Sequence, residues 1–495
     1  MTMMTIPPRP ALLDTPEQDM LIGGRRVPAL SGKRFETRNP ATGALLATVA
    51  EGGAEDVDRA VKAARAAFEG PWRRMKPVER QRILLRLADL VEAHYEELAM
   101  LDTLDLGAPY SRTIMGKARA GALLRYYAGQ ATLITGDTID NSAPGDVLSH
   151  TLKEPIGVVA AINPWNGPIG MSVWKAAPVL ASGCTLVMKP AEQTPLSALR
   201  FGDLCLEAGV PEGVINIVTG LGDAGAALSS HPDVDKIAFT GSTGVGQKIL
   251  HAAAGSMKRV TVELGGKSPN IVFADADLDK AVPAAAMAVF ANSGQICSAG
   301  TRLFVQSSIH DDFMARLAAF TQGIRVGDPL DPETQIGPVV SAVQMDKILA
   351  FIEGAHSEGA RPVTGGRRMS GAGFDAGYFI EPTIFSHVGD EMTIAREEIF
   401  GPVLSAFAFD TVEEVLARAN ATDFGLGSGV WTRDLATAHR MARGIRAGSV
   451  WVNCYQMLDP GVPFGGYKMS GFGRESGPHH IEDYLETKAV WIKLD

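Results

Sequence analysis

The sequence predicts an α/β protein built on doubly wound parallel sheets. Three observations lead there. Short apolar runs recur at 157–162, 184–188, 214–218, 236–239 and 259–263, each closing on a turn residue. Helical stretches separate the first four, as buried parallel strands joined by crossovers require. The alternation then resumes after Asp275 for a second unit of comparable size.

In chain order, residues 1–20 contain prolines and show no period, so they read as a loose arm. A helix follows at 54–69, where Val57, Ala60, Val61, Ala64, Ala67 and Phe68 repeat at helical spacing. A second spans 77–101, with Ile83, Leu84, Leu87, Leu90, Val91 and Leu98 on one face. A third runs from 111 to 130. Beyond Asp275, a helix at 277–291 leads to Gln295-Ile296-Cys297, and a strand follows at 303–306. Helices at 310–322, 342–358, 411–420 and 434–446 alternate with strands at 403–409, 428–431 and 449–453. The segment 488–494 alternates as an edge strand. It lies past the second core, where it is placed to pair with another subunit. No short-period repeat occurs.

The chain has 495 residues, 46% hydrophobic and 21% charged, enough for a large buried core. Its 46 basic and 56 acidic residues leave a net charge of −10 with no basic run, which argues against a nucleic-acid partner. No apolar stretch reaches the ~18 residues of a membrane span. The opening MTMMTIPPRP lacks the pattern of a secretory signal. Cys184, Cys205, Cys297 and Cys454 form no C-x-x-C pair, so neither a disulfide framework nor a zinc site is expected. The chain reads as a cytoplasmic protein with reduced thiols.

Open parallel sheets bind ligands outside the carboxyl ends of their strands. That rule selects Asn166, Lys189, Glu192, Gly241, Ser242, Gly244 and Glu263. The run Phe239–Gly246 is a glycine-rich strand-to-helix turn. It is either a phosphate cradle or a plain tight turn.

The run Val262-Glu263-Leu264-Gly265-Gly266-Lys267-Ser268-Pro269, followed by Gly294-Gln295-Ile296-Cys297, resembles the NAD(P)-dependent aldehyde dehydrogenase superfamily. So do Pro164-Trp165-Asn166, Lys189-Pro190-Ala191-Glu192-Gln193-Thr194-Pro195, Phe239-Thr240-Gly241-Ser242, Glu397-Glu398-Ile399-Phe400-Gly401-Pro402 and Pro463-Phe464-Gly465-Gly466. The resemblance covers residue 20 to the C-terminus, in the family's order. It implies a Rossmann-like cofactor-binding domain (1–134 and 154–264), a second α/β catalytic domain (265–483), and a small β element (135–153 and 484–495). That element bridges subunits of a homodimer or homotetramer.

The resemblance also implies roles. Cys297 is the nucleophile, and the other three thiols are core residues. Asn166 donates to the developing oxyanion together with the Cys297 amide. Glu263 is the base that activates water, and its presence favours hydrolysis over transfer to coenzyme A. Lys189 and Glu192 hold the adenosine ribose, and Glu192 repels a 2′-phosphate, so NAD is preferred over NADP. Ile162, Trp165, Gly222, Phe239, Gly241, Ser242, Gly265, Glu398 and Phe400 complete the cofactor set. Lys175 and Glu475 match a proton-relay pair; an ordinary salt bridge is the other reading. Thr37, Asp105 and Gln193 match oxygen ligands of a monovalent cation, and no catalytic metal is expected.

Gly167, Ala291 and Leu458 match positions that are often Phe in relatives that oxidise small aldehydes. With Met171, Trp174, Ile296, Met457 and Phe464 as the remaining wall, the pocket is expected to take a bulky aromatic or long-chain aldehyde. Two other readings stand beside this one: a small aliphatic aldehyde, and thiol-dependent ester hydrolysis at Cys297.

Overall fold

The computed structural model describes residues 6–495; residues 1–5, part of the expected loose arm, lie outside the described residues. An eight-stranded sheet holds five parallel strands in the spatial order Arg259–Glu263, Lys236–Thr240, Val158–Ile162, Thr185–Lys189, Ile215–Ile217. The first strand in sequence is therefore central, and successive crossovers run outward from it in both directions. Side chains alternate between two apolar layers. Val159 and Ala161 pack into one, Val158, Ala160 and Ile162 into the other. Both faces are covered, which is why these strands read as unbroken apolar runs.

A seven-stranded sheet forms the second unit, in the order Arg361–Thr364, Thr383–Ser386, Val403–Phe409, Arg302–Gln306, Pro269–Val272, Gly427–Trp431, Ser449–Val452. Only its first pair is antiparallel. The third expected element is present as a separate three-stranded sheet. Leu485–Lys493 runs antiparallel to Val147–Pro155 along nine residues, and Thr138–Ile139 borders the other side. Among the described residues no helix is long and apolar enough to cross a membrane.

Four local readings need correction. The described part of the arm is not loose. Leu13 and Gln18 are buried, Gln18 Nε2 donates to Leu12 and Thr15 carbonyls at 2.8 and 2.7 Å, and Glu17–Gln18 pairs with Thr48–Val49. The single helix at 77–101 is two, Pro77–Ala93 and Tyr95–Leu106. They meet at His94, whose ψ of 12° breaks the helix without a glycine or proline to announce it. The terminal strand begins earlier than expected, at Leu485. The short strands Pro269–Val272, Thr383–Ser386 and Arg361–Thr364, and the hairpin Arg34–Arg38 with Leu45–Ala50, had no alternation long enough to register.

Candidate active site

In the first sheet the crossover direction reverses between Val158–Ile162 and Lys236–Thr240, which pair with Phe239 opposite Ile162. Adjacent connections leave the sheet on opposite sides there, opening a crevice at the carboxyl edge. The turns leaving these strands carry Trp165, Asn166 and Gly167 on one side and Gly241 and Ser242 on the other. From Glu263 the chain passes through Gly265 and Gly266 into the second sheet. The result is a cavity of about 430 Å³ bordered by Asn166, Glu263 and Cys297 together.

The loop that presents Cys297 is rigidly held. Asn292 and Ser293 take left-handed φ values of 53° and 57°. Ser293 Oγ donates to the Gly337 carbonyl at 2.7 Å, and Gln295 Nε2 donates to the Asn292 carbonyl at 3.0 Å. Gln295 Oε1 accepts from the Val340 amide at 2.9 Å. Asn166 joins the same network: its Nδ2 donates to the Gln295 carbonyl at 2.8 Å, while its own carbonyl accepts from Asn292 Nδ2 at 3.0 Å. One Asn166 amide hydrogen is thus committed to the loop, and the second is available to a ligand. The Cys297 amide has no backbone acceptor. These two donors can converge on one oxygen.

Glu263 ends its strand buried, with Oε1 unpartnered. Loss of water raises its pKa to about 8; the nearby Glu475 charge adds to the rise, and Lys175 opposes it. Burial also holds the Cys297 thiol well above its ordinary value, with the charges of Glu263 and Glu398 adding to the effect. A nucleophile at Cys297 would therefore need a base, and a carboxylate of raised pKa stands beside it. Behind Glu263, Lys175 and Glu475 form a buried ion pair. Glu475 is clamped through its backbone. Its N–H and carbonyl exchange two 2.7 Å hydrogen bonds with Phe464, whose ring borders the cavity 5.9 Å from Trp174.

The other side of the cavity suits a cofactor with phosphates and riboses. Phe400, at φ 58°, sets its ring edge-on to Trp165 with 5.1 Å between centroids. Glu398 accepts from the Gly266 amide at 3.0 Å, and burial raises its pKa to about 7. A Cβ at Gly265 would stand 2.1 Å from Glu398 Oε2, so a side chain there would displace the Glu398 carboxylate. Gly244 faces open space in the first turn of Thr243–Ala254, and the buried Thr240 hydroxyl on the cavity wall has no partner. Free helix-start amides with unsatisfied polar groups form an anion cradle. Further along the same edge, Lys189 Nζ lies 3.6 Å from Glu192 Oε2, with Gly222 opening the neighbouring helix.

Not every expected site residue meets the cavity. Ile162 and Phe239 lie beneath it in the sheet, where Phe239 underpins Gly241. Lys189, Glu192 and Gly222 stand outside it along the strand edge. Ala291 is buried away from the wall, and Met457 is 68% exposed, with only its carbonyl engaged, by Trp451 Nε1 at 2.9 Å. Gly167, Met171, Trp174, Ile296, Leu458 and Phe464 do border it, and a Cβ at Gly167 would meet nothing within 4 Å. Thr37 Oγ1 donates to the Gln193 carbonyl at 3.3 Å; Asp105, fully buried, accepts from the Leu196 amide at 3.3 Å and leaves Oδ1 unpartnered. All four cysteines are free. Cys184 and Cys205 are buried, whereas Cys454 is half-buried in the bend after its strand rather than within it. Reading the sequence missed Arg112, Arg119 and Gln456 on the wall. They lie on a distant helical segment and an irregular loop that carry no motif.

This arrangement has close parallels. The model of the aldehyde dehydrogenase family matches residues 27–490. Aldehyde dehydrogenase family 2 member B4, mitochondrial, of Arabidopsis thaliana is 52% identical over 480 residues, covering 96% of this chain and 88% of that one. Benzaldehyde dehydrogenase, mitochondrial, of Antirrhinum majus is 51% identical over 479 residues, covering 96% and 89%. The NAD+ complex of aldehyde dehydrogenase from Bacillus cereus superposes with a TM-score of 0.96 at 47% identity, over 99% of this chain and 100% of that one. The chain belongs to the aldehyde dehydrogenase family.

Proposed function

We propose that the protein oxidises aldehydes to carboxylic acids with NAD through a covalent intermediate on Cys297. The observation that carries this reading is the convergence of Cys297, Glu263 and Asn166 in one cavity at the point where the first sheet reverses its winding. Bound nicotinamide supplies the hydride acceptor. Glu263 takes the thiol proton, and Cys297 Sγ bonds to the aldehyde carbon to give a thiohemiacetal. The Asn166 side-chain amide and the Cys297 N–H stabilise the oxyanion. Loss of hydride from that carbon leaves a thioester. Glu263 passes the thiol proton on and is ionised again; it then deprotonates a water that attacks the thioester, the carbon–sulfur bond breaks to return the Cys297 thiolate, and the acid is released. Lys175 and Glu475 receive the proton from Glu263.

Lys189 and Glu192 are assigned the adenosine ribose, and Glu398 with Phe400 the nicotinamide end. Glu192 disfavours a 2′-phosphate, so NADP is the poorer coenzyme. Oxygen donors at Thr37, Asp105 and Gln193 suit a hard monovalent cation, which would satisfy Asp105 Oδ1. The substrate is assigned as bulky and hydrophobic. Open space at Gly167 and the short Leu458 wall support this; Ala291 adds nothing to it. The name of the Antirrhinum majus relative supports an aromatic aldehyde. The exposed Trp491 and Ile492 on the terminal strand support a homo-oligomer joined through the three-stranded sheet.

A spectrophotometric panel of acetaldehyde, hexanal, benzaldehyde and cinnamaldehyde with NAD and NADP tests the proposal. NADH formation that disappears in Cys297→Ala supports the mechanism. NADH formation that survives the substitution overturns it, and a clear preference for acetaldehyde overturns the substrate assignment.

A further inference from the structure

Arg112, in the short helix Tyr110–Thr113, and Arg119, in Lys117–Gln130, border the same cavity as Cys297. Both side chains are exposed, so they stand at its mouth rather than at its floor. The Arg119 guanidinium carbon lies 4.6 Å from the centroid of the Trp174 ring, which forms part of the apolar wall. That stacking fixes the planar fork in place without using its hydrogen-bond donors.

Neither arginine has an acidic partner among the described residues. Both residues keep solvent access, yet the wall around them partly desolvates their guanidinium groups. Some arginines of this chain are paired with carboxylates. Arg26 pairs with Asp203 at 2.7 Å, Arg200 with Glu97 at 3.0 Å and Arg418 with Asp390 at 2.9 Å. What sets Arg112 and Arg119 apart is their place, on the wall of the cavity that holds Cys297. The charge is left for a ligand. The same cavity carries an apolar wall of Met171, Trp174, Ile296, Leu458 and Phe464.

We infer that the preferred aldehyde carries a carboxylate at the end opposite its formyl group, joined by an apolar spacer, and that Arg112 and Arg119 bind that carboxylate. The inference rests on the aldehyde-oxidising reading above and narrows its substrate class. A carboxylate presents two acceptor oxygens in a plane, the complement of a guanidinium fork. A neutral ester of the same shape offers no charge to it.

The experiment compares kcat/KM for 4-formylbenzoate with methyl 4-formylbenzoate, and for 4-formylcinnamate with its methyl ester, in the wild type. In at least one pair the acid should exceed the ester by about tenfold, mainly through KM, as a charge-assisted pair predicts. The preference should shrink as ionic strength rises. It should vanish in Arg112→Gln/Arg119→Gln and persist in part in Arg112→Lys/Arg119→Lys. Equal rates for acid and ester in both pairs, with the esters turned over, overturn this inference alone. So does a preference that survives the double Gln substitution. Failure of every aldehyde to yield NADH overturns the underlying activity and this inference with it.

Discussion

Lys175 and Glu475 form an ion pair across 300 residues of sequence, and both side chains are buried. Glu475 raises the pKa of Glu263 and Lys175 lowers it, so the pair tunes the base from behind. Glu475→Gln is expected to move the acid limb of the kcat–pH profile downward in pH. Lys175→Met should move it upward. Each variant strands one buried charge, and such breaks typically cost about 3–5 kcal/mol, readable as a lower thermal midpoint. A profile unmoved by either substitution would reduce the pair to a structural salt bridge.

The pH dependence of the wild type follows from Glu263. A base must be ionised to act, so hydrolysis should climb with pH until about 8 and level off above it. Stability runs the other way. Between the ordinary carboxylate range and about 8, the folded chain keeps a proton that the unfolded chain has lost, so rising pH destabilises the fold. Glu263→Gln removes that penalty. It should gain about 1–2 kcal/mol at pH 8 while losing roughly 10²–10⁴ in steady-state rate. Thermal melts at pH 6 and pH 8, beside rate assays, test both halves.

Asn166→Ala should lower kcat by about 10²–10³, the usual effect of deleting one oxyanion donor. Because Asn166 also holds the Gln295 carbonyl, some loosening of the Cys297 loop is expected. Alkylation of Cys297 by iodoacetamide separates the two effects. A rate of labelling close to wild type, with kcat strongly reduced, assigns the loss to the oxyanion.

Glu192→Ser should raise the NADP to NAD ratio of kcat/KM by about tenfold, since one repelling charge is removed from a partly exposed edge. Lys189 remains to attract the added phosphate. An unchanged ratio would place the adenosine ribose elsewhere.

Much of this was legible in the sequence, for a physical reason. Buried parallel strands leave continuous apolar runs, and the turns at their carboxyl ends carry the polar residues that face the crevice. Cys297, Glu263 and Asn166 were readable because each lies in such a turn or beside a glycine pair. Arg112 and Arg119 were not. They reach the cavity from two successive helices whose sequence register says only which face is apolar. The strand Pro269–Val272 was hidden as well, since four buried residues show no period. The break at His94 depends on packing between helices, and no local residue signals it.

The terminal strand Leu485–Lys493 keeps most of its side chains exposed along nine residues, Trp491 among them at 61%. Such an apolar patch on a sheet edge invites a second copy of the chain. Trp491→Lys should shift the protein toward monomer in sedimentation velocity at micromolar concentration. A mass identical to wild type would remove this strand from the interface.

The two hydrogen bonds between Phe464 and Glu475 have a consequence for selectivity. One residue borders the cavity and the charge of the other raises the pKa of Glu263, and their backbones form a single rung. A ligand large enough to displace the Phe464 backbone would shift Glu475, and with it the charge behind Glu263. The optimum pH is then a joint property of enzyme and aldehyde, and a large ring and a slim chain need not share the same one.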